Sequence, residues 1–327
     1  MALPEPLTSE ENNRLTILPI KYMDIWEAYK THESAIWHAH EIDLQTDLKD
    51  WATLSADEKH FVKYVLAFFA SSDMIVAENL ATRFMKEIKI LEARVFYSFQ
   101  NMIENIHSEV YSNMIEAYVS DQAEKMLLFN AVTTVPSVAK KATWAKKWID
   151  STSATLAERL VAFAIVEGVF FSGAFCCIYW LRERGKMPSL CKANDFIARD
   201  EGLHTDFACL LYKKYIVNKL SQQRIVEIIN EAVEIECEFI TESLPCRLLG
   251  INSNLMKIYI KYVADRLLSQ LGHSKIYNTK QPFDFMNRIC LMGKTNFFEE
   301  TPTDYKKGES PKSNGDISPV DDFFKTL

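Results

Sequence analysis

The chain has 327 residues, is 48% hydrophobic and carries a formal net charge of -7. No basic block with interleaved aromatics occurs, which argues against direct nucleic-acid binding. Glycine and proline number only 9 and 10, and a long middle with few such breakers predicts an all-α fold.

Met1–Glu10 has no apolar stretch of the signal-peptide kind. Residues 1–20 read as an N-terminal arm, and patchy helical periodicity runs from Ile20 to Lys49. Ser55 with Glu58 forms a capping-box pattern that opens a long helix reaching about Phe84. A second long helix is predicted over Glu87–Val119, with shorter ones near 121–132 and 137–150. A third long helix covers Thr155–Arg184 and is expected to stop at Gly185 and Pro188. A fourth runs over Asn194–Asn218, and two more lie near 221–245 and 252–271. From Gly293 the character changes, and Thr301–Pro319 is a polar, Pro/Ser/Gly-rich tail expected to be disordered.

Val161–Leu181 is apolar enough to span a bilayer. Glu167 in its middle and flanking charges of both signs favour a helix buried inside a bundle, with no membrane contact. The seven cysteines contain no C-x-x-C pair and read as reduced thiols of a cytoplasmic protein.

Two E-x-x-H patterns carry the chemistry: Glu104-Asn-Ile-His107 on the second long helix and Glu201-Gly-Leu-His204 on the fourth. Residues three apart on a helix share a face, so each motif aims one carboxylate and one imidazole the same way. Asp73 lies 31 residues before Glu104 in an otherwise apolar run, and Glu167 lies 34 residues before Glu201 in another. Each half therefore reads as a buried carboxylate, an antiparallel return and an E-x-x-H. Four carboxylates in one core would repel strongly, and a pair of divalent cations relieves them. Oxygen and imidazole donors without thiolates suit iron or manganese. Ferritin-like di-iron bundles share this arrangement of ligands. Tyr111 follows His107 by one turn on the same face, which places a phenol beside the metals. Phe171 and Phe175 follow Glu167 by one and two turns and would form an apolar cage.

With these residues in place, the chain resembles the small subunit of class I ribonucleotide reductases of eukaryotic type, over about residues 15–300. The shared wording is Ser72-Asp73, Glu104-Asn-Ile-His107-Ser-Glu-Val-Tyr111, Val166-Glu167-Gly-Val-Phe-Phe171-Ser-Gly, Arg199-Asp200-Glu201-Gly-Leu-His204 and Gly293-Lys-Thr-Asn-Phe-Phe298-Glu. The resemblance implies a ferritin-like helical bundle with additional helices over 21–298 and a docking tail over 299–327. It implies an oxo-bridged pair of iron ions held by Asp73, Glu104, His107, Glu167, Glu201 and His204. It further implies a stable radical at Tyr111, passed to a separate large subunit that reduces ribonucleotides. Trp37 and Asp200 match the start of that relay, and Tyr305 resembles the relay tyrosine at the subunit junction. Ile197 and Arg199 match positions around the radical pocket and the proton path. A homodimer is implied as well. The end of the chain departs from the family: Asp321-Asp322-Phe323-Phe324 keeps the acidic-aromatic character, but Lys325-Thr326-Leu327 follows it. The ligand set alone would also serve another di-iron oxidase. A regulatory paralogue without a radical is a further alternative, although such chains usually lose a ligand or the tyrosine.

Overall fold

Helix after helix follows from the capping and apolar patterns of the sequence. The structure, a computed structural model, describes Pro4–Met286 apart from Leu244 and the side chains of Glu242 and Ser243. Tyr305, the tail 299–327 and the last residues of the 21–298 domain lie outside the described residues.

The main helices are α1 (Met23–Ser34), α2 (Asp47–Thr53), α3 (Ala56–Asn79), α4 (Leu91–Tyr118), α5 (Gln122–Phe129) and α6 (Pro136–Ile149). They continue as α7 (Leu156–Ile165), α8 (Ser172–Glu183), α9 (Pro188–Tyr215), α10 (Gln222–Glu238) and α11 (Ser253–Leu271). Among the described residues there is no strand, only one isolated β-bridge between Asn13 and Ile90. The Ser55–Glu58 capping box forms as the sequence predicts, and a second one, Thr155 with Glu158, opens α7.

Two boundaries differ from the prediction. Pro188 was expected to end the third helix but begins the fourth. Its fixed φ and missing N–H suit the first helical position, and Met187 in the left-handed region turns the chain into it. The third helix is also not continuous: Val166–Phe170 is a π-helical segment between α7 and α8. Similar wide turns follow α3 at Leu80–Phe84 and α10 at Phe239–Ser243. Such turns are rare and concentrate at functional sites, and apolar periodicity does not reveal them.

Helix α3 packs along α4, while α7, Val166–Phe170 and α8 pack along α9, giving two antiparallel pairs around one core. Phe96 of α4 stacks on Phe207 of α9 at 3.6 Å between ring centroids, joining the pairs. Each such buried ring contributes about 1.5–3 kcal/mol of apolar transfer energy. Two helical stretches, Ala56–Glu87 and Leu156–Glu183, each including its π segment, are long and apolar enough to cross a membrane. The most apolar window of the second is 94% buried within the protein itself.

The described part of the N-terminal arm is fastened to this core. Glu5 accepts from the Val217 and Asn218 backbone N–H groups at 2.7 and 2.9 Å, and Arg14 pairs with buried Glu92. The six described cysteines are free.

Candidate metal centre

Six side chains converge between the two helix pairs. Asp73 comes from α3, Glu104 and His107 from α4, Glu167 from the π segment, and Glu201 and His204 from α9. All six are at most 2% exposed. Ligand atoms of Asp73, Glu104 and His107 lie within 4.8 Å of one another, as do those of Glu104, Glu167, Glu201 and His204. Glu104 belongs to both groups and is the carboxylate placed to serve either.

His107 Nδ1 faces Glu104 Oε2 at 3.3 Å and Glu201 Oε1 at 3.2 Å. His204 Nδ1 faces Glu104 Oε1 at 3.1 Å and Glu201 Oε2 at 3.0 Å. Asp73 Oδ2, both Glu104 oxygens, Glu167 Oε2, Glu201 Oε1 and His107 Nδ1 make no hydrogen bond despite full burial. Buried carboxylate oxygens without partners are costly, and these point at a common centre. The residues therefore fit a pair of divalent cations with oxygen and imidazole donors.

The mutual charges of the cluster favour proton uptake by several of its groups. Burial, then the Glu104 charge, raises the Asp73 pKa well above the carboxylate range, and burial with the Glu201 charge does the same for Glu167. Burial opposes protonation of His204, but the Glu104 and Glu201 charges outweigh it and lift the imidazole to about 9. Burial likewise opposes a charge on His107, yet the Asp200 hydrogen bond and the close Glu104 and Glu201 carboxylates raise its pKa. Metal binding would displace these protons.

Behind the ligands runs a hydrogen-bonded chain. Trp37, 1% exposed, donates from Nε1 to Asp200 Oδ2 at 2.7 Å. The same oxygen meets His107 Nε2 at 3.1 Å, which directs Nδ1 toward the cluster. Arg199 donates to Asp200 Oδ1 at 3.0 Å and to the Ala35 carbonyl at 2.6 Å, tying the loop that carries Trp37 to α9. Burial would raise the Asp200 pKa, but the Arg199 charge and the His107 bond hold it below its ordinary value.

Tyr111 is 1% exposed, and its hydroxyl has no partner. Burial and then the Asp73 charge push its pKa well above that of a free phenol. Its ring stacks on Phe69 at 4.6 Å. Phe171 and Phe175 pack on Phe69 from beyond, at 5.7 and 5.1 Å, so the cage reaches the tyrosine through Phe69. Ile197 is buried on α9.

Sequence reasoning missed three neighbours. Phe69 precedes Asp73 by four residues, so helical phase alone would have placed it in the site. Gln100 donates to Glu167 Oε1 at 2.9 Å and precedes Glu104 by one turn on the same face. His32 gives no such signal, because it comes from α1. Its ring lies edge-on to His204 at 4.8 Å, neither nitrogen has a partner, and burial drives its pKa down to about 3.

Comparison with known proteins agrees with this geometry. The family model described as "Ribonucleotide reductase, small chain" matches residues 14–282. A ribonucleoside-diphosphate reductase small chain from Trypanosoma brucei brucei is 58% identical over 93% of this chain and 90% of that protein. The structure of the ribonucleotide reductase Rnr4 homodimer from Saccharomyces cerevisiae is 39% identical, with a TM-score of 0.81 over 89% of this chain and 93% of its own. The dimanganese(II)-NrdF structure from Streptococcus sanguinis, at 20% identity and a TM-score of 0.76, covers 85% of this chain and 99% of its own and shares the fold.

Proposed function

The chain belongs to the ribonucleotide reductase small-chain family and is the small subunit of a ribonucleoside-diphosphate reductase, and we propose that it generates and stores a tyrosyl radical at Tyr111 beside a di-iron centre. The observation that carries this reading is a caged, fully buried phenol next to six converging side chains of metal-ligand type, with Asp200 linking one of their histidines to Trp37.

Asp73, Glu104 and His107 would hold one ion and Glu167, Glu201 and His204 the other, with Glu104 reaching both. When bound, the iron pair supplies the power to oxidise a phenol with dioxygen; manganese shares the same donor preferences. The protein's own residues do the rest. Burial keeps Tyr111 protonated, so losing one electron requires its phenolic proton to leave as well. Asp73 is the carboxylate whose charge bears most strongly on Tyr111. Phe69, Phe171 and Phe175 exclude water and reductants from the product. The Trp37–Asp200–His107 chain is the route by which the oxidising equivalent would leave toward a large subunit.

A homodimer and docking of residues 299–327, with Tyr305, on that large subunit complete the reading, as does a cytoplasmic location. A peptide of residues 315–327 should compete with holoenzyme assembly; failure to compete would remove the tail from the proposal.

The test of the radical is electron paramagnetic resonance on apo-protein given ferrous iron and then air. The wild type should show a tyrosyl signal, and Tyr111→Phe should bind iron and show none. Iron uptake without a radical in the wild type would sink the assignment.

A further inference from the structure

Away from the ligands, a second buried charge group grips the π segment that carries Glu167. Lys141 of α6 and Glu236 of α10 are 2% and 0% exposed, and Lys141 Nζ lies 2.5 Å from Glu236 Oε2. Lys141 also donates to the Phe170 carbonyl at 2.7 Å, and Glu236 Oε1 accepts from the Gly173 N–H at 3.2 Å. The Ser172 hydroxyl donates to the Val169 carbonyl at 2.7 Å. Two carbonyls and one amide thus take side-chain partners within the stretch where the π segment hands over to α8. A wide turn disrupts the ordinary ladder of backbone bonds, and these side chains meet it from two opposite helices.

The environment is built for the pair. Lys141 Nζ sits 3.7 Å from the centre of the Phe239 ring and 4.0 Å from that of Phe68. Phe68 packs on Phe171 at 5.7 Å and on Phe69, the ring stacked on Tyr111. A Cβ at position 173 would fall 2.6 Å from Glu236 Oε1, so the carboxylate reaches the backbone only because Gly173 has none. A buried ion pair rarely stabilises a fold more than apolar residues of the same volume would. Its retention points to what it holds.

We propose that Lys141 and Glu236 are positioning residues that keep the Val166–Phe170 turn open, setting the Glu167 carboxylate in the metal cluster and Phe171 in the Tyr111 cage. This rests on the reading of Glu167 as a ligand. Released from both side, the turn is free to close toward ordinary α spacing, which swings Glu167 away from Glu201 and His204.

The test replaces both charges at once, Lys141→Met with Glu236→Leu, which preserves volume and leaves no stranded charge. Apo-protein is titrated with manganese(II), whose binding needs no oxygen chemistry, and amide exchange is followed across residues 166–174. The wild type should take up two ions per chain. The double variant should keep the ion at Asp73, Glu104 and His107 and bind the second about tenfold or more weakly, in line with losing a residue that orients a ligand. Protection of the 166–174 amides should fall with it. Ile229→Ala, a cavity in the same helix as Glu236, should lower the melting temperature without separating the two affinities. Should the double variant not fold, Lys141→Met alone, which removes the donor to the Phe170 carbonyl, should weaken the second ion in the same direction. Equal affinities or unchanged exchange in either folded variant overturn the positioning role. No manganese(II) uptake by the wild type would instead overturn the metal reading, and the role built on it.

Discussion

Two groups of buried charge meet at the π segment, and they are neutralised in opposite ways. Lys141 and Glu236 bring their own countercharge, and each also serves a backbone group of the segment. The metal cluster assembles four carboxylates against two imidazoles and leaves six ligand atoms without a hydrogen bond. Burial is equal in the two places, so desolvation alone does not distinguish them. The difference lies in whether positive charge is supplied by the chain. A self-neutralised pair serves geometry, whereas a cluster short of cations is a site for them.

The sharpest way to break this comparison is to make a similar change in both groups. Glu167→Gln resembles the protonated acid that burial already favours, so the apo-protein should keep its melting temperature. Metal affinity should fall by more than the about 10–100-fold lost with an orienting partner, as equilibrium dialysis would measure. Glu236→Ala should do the reverse to stability. It strands the Lys141 charge, at about 3–5 kcal/mol, which calorimetry would record as a drop of about 10 °C. A stable Glu236→Ala protein would erase the distinction drawn here.

Metal removal gives a smaller effect and tests the same point from outside. Ferrous iron at about a hundred times its dissociation constant should stabilise the folded chain by about 2.7 kcal/mol through mass action. The gain should vanish on chelation and be absent in Glu167→Gln. Tyr111→Phe should keep the whole gain, because the tyrosine hydroxyl makes no hydrogen bond that the substitution could remove. A Tyr111→Phe protein that no longer responded to iron would place the phenol among the ligands instead of beside them.

How far each group could be read from the sequence follows from the same contrast. The ligands were legible because they are polar residues at helical spacing inside apolar runs: Asp73, Glu167 and the two E-x-x-H motifs have no other reason to be there. The helices were legible from their caps and periodicity. Lys141 was not, because Lys140-Lys141 in an amphipathic helix reads as solvated surface, and Glu236 lies among acidic residues of another helix. Only the packing of α6 and α10 against Gly173 brings them together. The π segment was hidden for a related reason, since one extra residue in a turn changes backbone pairing but not composition. His32 belongs to the same class, being a single polar residue delivered by a helix with no motif.

The smallest predicted effect is a pH dependence of stability belonging to the pair. Burial raises the Glu236 pKa from 4.5 to about 7, against the pull of Lys141. The folded chain then holds a proton that the unfolded chain has lost, so this stabilisation is full below 4.5 and disappears as the pH rises through about 7. Burial lowers the Lys141 pKa from 10.5 to about 8, against the pull of Glu236. That contribution is full above 10.5 and disappears as the pH falls through about 8. The two windows leave a trough between about 7 and 8, where both groups are charged and the pair contributes least. The exposed Lys140–Glu238 pair alongside is open to solvent and should add little. Subtracting the denaturation free energy of the Lys141→Met, Glu236→Leu variant from that of the wild type across this range isolates the trough. A flat difference would mean that the charges are well compensated at neutral pH, and their presence would then need no explanation beyond stability. A trough would mean that the chain keeps a buried pair where it stabilises least, which is the pattern expected of charges retained to hold the turn that carries Glu167.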